Sequence, residues 1–195
     1  MKTVYWFLIA LIFVPSICVA DTQVSCAYPE LNTNEMVPEK SCGAVSSDGL
    51  LSINRALISK INWNKDGIEC AYIYGTENIN GWYIIKRSGS GRISPFWPDN
   101  SCEPFSYGLA VGLINGNVVF YNQDLEVVKR TNYSWASGFQ KGYSKVCIGY
   151  LEKEYDSSGE HFEYKGGKCG YVDTNFKVIV PLNYSFEKTP KPKSP

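Results

Sequence analysis

The sequence predicts an all-β protein built from successive antiparallel hairpins. Fourteen tyrosines and nine phenylalanines in 195 residues favour strands over helices. Apolar residues alternate with smaller or polar ones on both sides of Asn115-Gly116, the pattern of a half-buried hairpin. The same plan recurs along the chain in about three units over residues 48–187. Repeat units bury their faces against neighbours, and about three are needed for stability.

The clearest unit spans residues 105–121. Apolar side chains at alternate positions precede Asn115-Gly116 and follow it. This dipeptide is a strong signal for a tight turn, because both turn residues must tolerate a positive φ. We therefore predict two paired strands joined at this turn, with a further strand over residues 125–128.

The next unit repeats this plan but carries an insert. Phe139-x-x-Gly142 repeats Phe105-x-x-Gly108 at a spacing of 34 residues, and the plan resumes at residues 167–173. The insert therefore lengthens the hairpin, and a strand over residues near 177–180 completes the unit.

The rest of the chain is less regular. A looser hairpin occupies residues 67–85, and a partial unit that supplies a single strand precedes it. Residues 54–61 suit one short helix. Residues 21–47 have no clear period and are predicted to be irregular, while residues 188–195 are a polar, proline-rich tail predicted to be disordered.

Three segments follow each other in a recognisable order: Phe-Ser-Tyr-Gly-Leu-Ala at 105–110, Gly-Gly-Lys-Cys-Gly-Tyr-Val-Asp at 166–173 and Lys-Val-Ile-Val-Pro at 177–181. In order and spacing they resemble the WG-repeat (KWG-repeat) family of bacterial proteins, over about residues 48–187. The namesake dipeptide is degenerate, because Cys169 stands where the family has Trp. The resemblance implies hairpin repeats and a scaffold or binding role, and it supplies no catalytic residues.

Residues 1–20 have the anatomy of a cleavable secretory signal. A positive residue precedes an apolar run over Val4–Val14, and a small-x-small ending follows. A membrane anchor is the alternative, but the run is shorter than the roughly 20 residues that span a bilayer. A lipidated Cys18 would need a small residue where Ile17 stands. We predict a periplasmic or secreted protein that starts at Asp21.

Six cysteines remain after removal of the signal, and an even number in an exported chain indicates disulfides. The pairs expected from alignment and proximity are Cys147–Cys169, Cys70–Cys102 and Cys26–Cys42. The sequence has no Cys-x-x-Cys and a single histidine. We therefore expect no metal site and no cofactor.

The register of the long hairpin follows from the repeat. Aligning the two units places Cys147 on Leu113 and Cys169 on Val118, which flank the Asn-Gly turn. A three-residue loop ending at Gly159 centres the hairpin and sets the two cysteines opposite each other. The same register would set Lys153 opposite Glu163. The tip over residues 152–164 is then the expected contact loop, with Lys153, Tyr155, His161 and Phe162 as its candidate contact residues.

Charge and composition reduce the number of function classes that fit the sequence. Removing the signal leaves 18 basic and 19 acidic residues, so nothing favours nucleic acid or an anionic membrane as partner. The only candidate base, His161, lies in a charged stretch beside a hairpin tip, and we expect no catalytic residues. Four tryptophans could line a binding face, although aromatic residues at repeat positions more often lie in the core: Trp63, Trp82, Trp97 and Trp135.

The function favoured by these features is that of an exported, non-catalytic binding protein with no membrane span after signal cleavage. Its partner would be an unknown protein or a cell-envelope component. The alternative is a periplasmic inhibitor or immunity-type protein that blocks a toxic or lytic enzyme. A hydrolase is the third hypothesis, and it would require two carboxylates roughly 5–10 Å apart in a cleft.

Overall fold

The computed structural model describes residues 21–76, 79–94, 102, 105–159 and 161–193, and in these ranges the chain is all-β, as predicted. The elements are β1 (Thr22–Pro29), β2 (Met36–Val45), β3 (Leu50–Ile53), α1 (Arg55–Ile58), β4 (Ile68–Tyr74), β5 (Gly81–Lys86), β6 (Ser90–Ile93), β7 (Ala110–Ile114), β8 (Asn117–Tyr121), β9 (Val127–Arg130), β10 (Trp135–Ala136), β11 (Tyr143–Tyr155), β12 (Phe162–Asp173), β13 (Val178–Tyr184) and a 3₁₀ turn (Phe186–Lys188). The predicted signal over residues 1–20 lies outside the described residues.

The first six strands close into a barrel in the order β1-β2-β3-β6-β5-β4, with β4 pairing back onto β1. Its interior is apolar and includes Val24, Tyr28, Leu51, Ile73 and Tyr83. Residues 21–47 therefore form two strands of the barrel, and the prediction that they are irregular is wrong. The barrel also runs across the predicted domain boundary at residue 48.

A bulge explains why the first strand escaped detection. The pairing of β1 with β2 shifts between Val24 and Cys26, and a bulge interrupts the period-two alternation that marks a strand. Helix α1 falls inside the predicted range 54–61. Asn54 Oδ1 accepts a hydrogen bond from Ala56 N at 3.1 Å, and Leu57 packs into the barrel core.

The middle sheet has the order β7-β8-β9. Asn115 and Gly116 have φ values of 52° and 75°, which is the left-handed pair required by a tight hairpin turn. The strand predicted over residues 125–128 begins later, at Val127. Leu125 has a φ of 63° and is buried in the preceding turn, so it is not a strand residue.

The third sheet has the order β10-β11-β12-β13 and packs on one face of the middle sheet. Their shared core includes Val111, Phe120, Phe139 and Val172. The hairpins therefore form a closed barrel followed by two open sheets, and not a uniform array.

The opposite face of the middle sheet packs on the barrel. Buried Arg92 on β6 donates from Nη1 to the Asp48 carbonyl at 2.8 Å, and its Nη2 lies 3.2 Å from the Asp48 carboxylate. The guanidinium also lies 5.5 Å from the centre of the Tyr121 ring on β8. Nearby, Lys86 and Asp124 form an ion pair of 2.7 Å. The Arg92–Tyr121 and Lys86–Asp124 contacts connect the barrel to the middle sheet, and the Asp48 contacts hold Arg92 in place within the barrel.

The tail predicted over residues 188–195 is described as far as Lys193. Lys188 ends the 3₁₀ turn, and Thr189 Oγ1 donates to the Ser185 carbonyl at 2.9 Å. Among the described residues, no helix is long and apolar enough to cross a membrane.

Candidate functional site

The two longest strands in the described part of the chain form a projecting two-stranded element. Strand β11 has 13 residues and β12 has 12. The neighbouring strand β13 pairs only with residues 169–172 of β12, and β10 pairs only with Val146 and Cys147 of β11. Residues 149–168, hereafter the arm, therefore extend beyond their strand neighbours. The predicted contact loop over residues 152–164 lies in the arm.

A disulfide closes the base of the arm. Cys147 and Cys169 are paired directly across the hairpin, with a Cα–Cα distance of 4.1 Å, and both side chains are fully buried. Leu113 and Val118, the residues aligned with them, also face each other. The other disulfides are Cys26–Cys42 and Cys70–Cys102. All three pairs match those expected from the sequence.

Beyond the disulfide, a β-bulge shifts the strand pairing by one residue. The register holds up to Ile148 and resumes at Leu151. Gly149 and Tyr150 on β11 therefore stand opposite Gly167 alone, and Gly149 has a φ of 84°. A bulge of this kind needs a residue that tolerates unusual backbone angles, which glycine supplies.

The bulge changes the predicted pairing in the outer arm. Lys153 faces Tyr164 and not Glu163, so the predicted Lys153–Glu163 pair is wrong. Glu163 instead faces Glu154. Glu154 also forms an ion pair with Lys165, which offsets the repulsion between two facing carboxylates.

The tip is a tight polar turn. Asp156 N donates to the His161 carbonyl at 3.0 Å, and Tyr155 pairs with Phe162, so the turn is not the predicted three-residue loop that ends at Gly159. The Asp156 carboxylate accepts hydrogen bonds from Ser158 N, Ser158 Oγ and Gly159 N at 2.7–3.0 Å. The Ser158 hydroxyl, together with the backbone donors, lowers the pKa of Asp156.

One face of the arm gathers three of the four predicted contact residues. Tyr155 and Phe162 are paired across the strands, with ring centres 5.6 Å apart, and Lys153 Nζ lies 4.2 Å from the centre of the Phe162 ring. Tyr155 is 56% exposed. His161, the fourth, lies exposed in the tip turn. Their role in partner contact stays a prediction.

Aromatic rings continue from this face to the base of the arm. The Tyr164 ring lies 5.3 Å from Phe162 and 5.4 Å from Phe186, and Trp135 lies 4.8 Å from Phe186. We call Tyr155, Phe162, Tyr164, Phe186 and Trp135 the aromatic row. Burial is the largest cause of the raised pKa of Tyr164, Tyr155 raises it further, and a hydrogen bond with Trp135 lowers it.

Two members of the aromatic row were not predicted as site residues. Tyr164 could have been found, because it alternates with Phe162 along one strand and must share its face. Phe186 could not, because it lies in a 3₁₀ turn beyond the last strand and no periodicity connects it to the arm.

The other tryptophans are placed differently. Trp63 packs against the barrel core and donates from Nε1 to the Ile58 carbonyl at 2.8 Å. Trp82 packs partly buried between the barrel and the middle sheet. Trp97 lies outside the described residues. Of the three candidates that the structure describes, only Trp135 borders the arm.

Fold and surface together define an all-β, disulfide-linked protein of three packed sheets with a projecting aromatic arm. A family model described as the WG containing repeat matches residues 170–186, from the end of β12 through β13 to the 3₁₀ turn. This segment is therefore a WG-type repeat, and the resemblance to that family is confirmed there. Comparison with curated proteins and with solved structures finds no significant match.

Proposed function

We propose that this chain is an exported, non-catalytic binding protein that contacts its partner through the arm. The observation that carries the proposal is the aromatic row, which runs from exposed Tyr155 at the outer arm to Trp135 at its base. Aromatic side chains are enriched at the centres of protein interfaces and among the residues that contribute most to binding. The partner is another protein or a component of the cell envelope.

The construction of the arm supports this role. The Cys147–Cys169 disulfide, the Glu154–Lys165 ion pair and the hydrogen-bonded tip hold the two strands in one geometry. A contact element that is ordered before binding loses less conformational freedom on association. The arm therefore presents its rings at low entropic cost.

Export is part of the proposal. Three disulfides suit an oxidising compartment such as the periplasm or the medium. Mass spectrometry of protein recovered from those fractions should give a chain that begins at Asp21. A retained Met1 would contradict export through a cleaved signal.

A second candidate function is inhibition of a toxic or lytic enzyme. The arm favours it, because a narrow projecting hairpin with an exposed tip can enter a partner's cleft. The two functions differ in outcome: an inhibitor abolishes the activity of its captured partner at a one-to-one ratio, whereas a scaffold leaves that activity unchanged.

The direct test is partner capture from an envelope extract with immobilised mature protein. The arm variant Tyr155→Ser/Phe162→Ser removes two rings of the aromatic row. The matched control Tyr74→Ser/Tyr107→Asn removes two exposed aromatic rings elsewhere; asparagine suits residue 107, whose φ is 53°. We expect the arm variant to capture at least about tenfold less partner, since buried interface aromatics each contribute about 2 kcal/mol or more. Equal capture by the arm variant and the control would overturn the proposal.

A further inference from the structure

A recess lies beside the base of the arm, between the start of β11 and the chain that follows β13. It has a volume of about 350 Å³, within the range typical of small-ligand sites. Three aromatic residues and three lysines line it: Trp135, Tyr143, Tyr171, Lys141, Lys145 and Lys191. The sequence did not predict that these residues lie together, because Lys191 is 20 residues beyond Tyr171.

The recess carries an excess of positive charge. Among the described residues, none of its three lysines has a carboxylate within 4.0 Å. Glu187 is the nearby acid that acts on Lys145, and it is occupied by hydrogen bonds from Ser185 Oγ at 2.7 Å and Gly166 N at 3.3 Å. The described lining contains three ammonium groups and no carboxylate, and this excess of positive charge favours an anionic ligand.

Lys145 is the fixed member of the group. It is half-buried, its Nζ donates to the Phe186 carbonyl, and the ammonium lies 3.5 Å from the centre of the Phe186 ring. Burial is the main cause that lowers the pKa of Lys145; Lys191 lowers it further, while Glu187 raises it. A bound anion would stabilise this charge where solvent is partly excluded.

The walls of the recess are aromatic. Tyr143 and Tyr171 meet edge to face, with ring centres 5.4 Å apart and planes at 90°. Trp135 forms another wall, and Ser137 and Gln140 supply neutral polar groups. A sugar ring presents apolar C–H faces and hydroxyl groups together, so it matches a lining of aromatic rings, hydroxyls and an amide. Among the described residues, the cations that line the recess are all lysines, which act as compact point charges rather than as a planar, bidentate fork.

We propose that this recess binds an acidic saccharide, a sugar ring that carries a carboxylate. The lysines hold the carboxylate, and the aromatic walls hold the ring. Because Trp135 belongs to both the recess and the aromatic row, ligand binding is readable by tryptophan fluorescence. The proposal stands apart from the proposed function, since the arm variant Tyr155→Ser/Phe162→Ser leaves the recess residues untouched.

The test is a calorimetric titration of the mature protein with trigalacturonic acid, with neutral galactotriose as the matched sugar. We expect the acid to bind at least about tenfold more tightly than the neutral sugar, as loss of charged hydrogen bonds predicts, and more weakly as NaCl is added. Equal binding of both sugars, no binding of the acid, or tighter binding of inorganic phosphate or a hexaglutamate peptide would each overturn the proposal.

A pair of charge variants tests whether trigalacturonate binds at this recess. Lys141→Asn/Lys191→Gln removes two ammonium groups, and asparagine suits residue 141 because its φ is 52°. The control Lys40→Gln/Lys65→Gln makes the same change of charge at two exposed lysines of the first half of the chain. We expect about tenfold weaker trigalacturonate binding in the first variant and unchanged binding in the control. An equal loss in both would mean that net charge alone attracts the sugar, which would overturn the assignment to this recess.

Discussion

At the scale of single residues, one close contact constrains the middle sheet. The Tyr121 ring is fully buried and lies across the backbone of Gly112. A Cβ atom built on Gly112 would lie 1.9 Å from a ring carbon of Tyr121. Position 112 therefore requires glycine because there is no space for a side chain, and not because of a positive φ. The buried ring cannot move aside, because Arg92 covers it.

Gly112→Ala should therefore destabilise the fold. We expect a loss of about 3 kcal/mol in the free energy of unfolding, typical of overpacking in a close-packed core. Gly116→Asn is the control, because a Cβ there meets no atom within 4 Å and asparagine tolerates its φ of 75°; we expect a change within about 0.5 kcal/mol. Urea unfolding measures both. Equal stability of Gly112→Ala and the wild type would show that the ring does not occupy this place.

At the scale of elements, the disulfide at the base of the arm could be predicted from the sequence, and the bulge beyond it could not. Asn115-Gly116 fixes its hairpin because both residues accept a positive φ, and alignment to that hairpin gave the Cys147–Cys169 pairing. The bulge at Gly149 was not predictable. No described residue of the outer arm is fully buried, so a shift of the pairing by one residue would not move a buried apolar side chain to the solvent face.

The tip of the arm should respond to acid. The pKa of Asp156 is lowered in the folded chain, first by the Ser158 hydroxyl and then by backbone N–H groups. Because this pKa is lowered on folding, Asp156 stabilises the tip at neutral pH, and this stabilisation is lost as the pH falls through the pKa of Asp156 in the folded chain. We expect faster amide exchange, corrected for its intrinsic pH dependence, at Ser158 and Gly159 at acid pH. We expect Asp156→Asn to abolish this pH dependence of amide exchange. If the variant kept the pH dependence, a group other than Asp156 would control the opening of the tip.

At the scale of the whole molecule, three bodies of β structure share two interfaces. The barrel joins the middle sheet through Arg92 and Tyr121, and the third sheet covers the other face through Phe120 and Phe139. The local hairpins of this arrangement could be predicted. Barrel closure could not, because β1 pairs with β4 across about fifty residues and no local pattern encodes that contact.

The interface between barrel and middle sheet should fail at alkaline pH. Burial raises the pKa of Tyr83 and of Tyr121 to about 12, although the positive charge of Arg92 acts to lower both pKa values. These tyrosines ionise near pH 10 in the unfolded chain, so stability is fully present below that pH and is lost as the pH rises towards 12. Urea unfolding between pH 9 and about 11.5 should show a steep decline that Tyr121→Phe makes shallower. A slope unaffected by Tyr121→Phe would contradict this origin.

If the arm contacts the partner, site-specific photo-crosslinking in the producing cell should capture that contact. A photoreactive residue at Ser158 places the probe in the tip, and one at Thr33 places the same probe in an exposed turn of the barrel. We expect one discrete crosslinked product from residue 158, which is lost when Tyr155→Ser/Phe162→Ser is added, and no crosslinked product from residue 33. A discrete product from residue 33 with none from residue 158 would contradict contact through the arm.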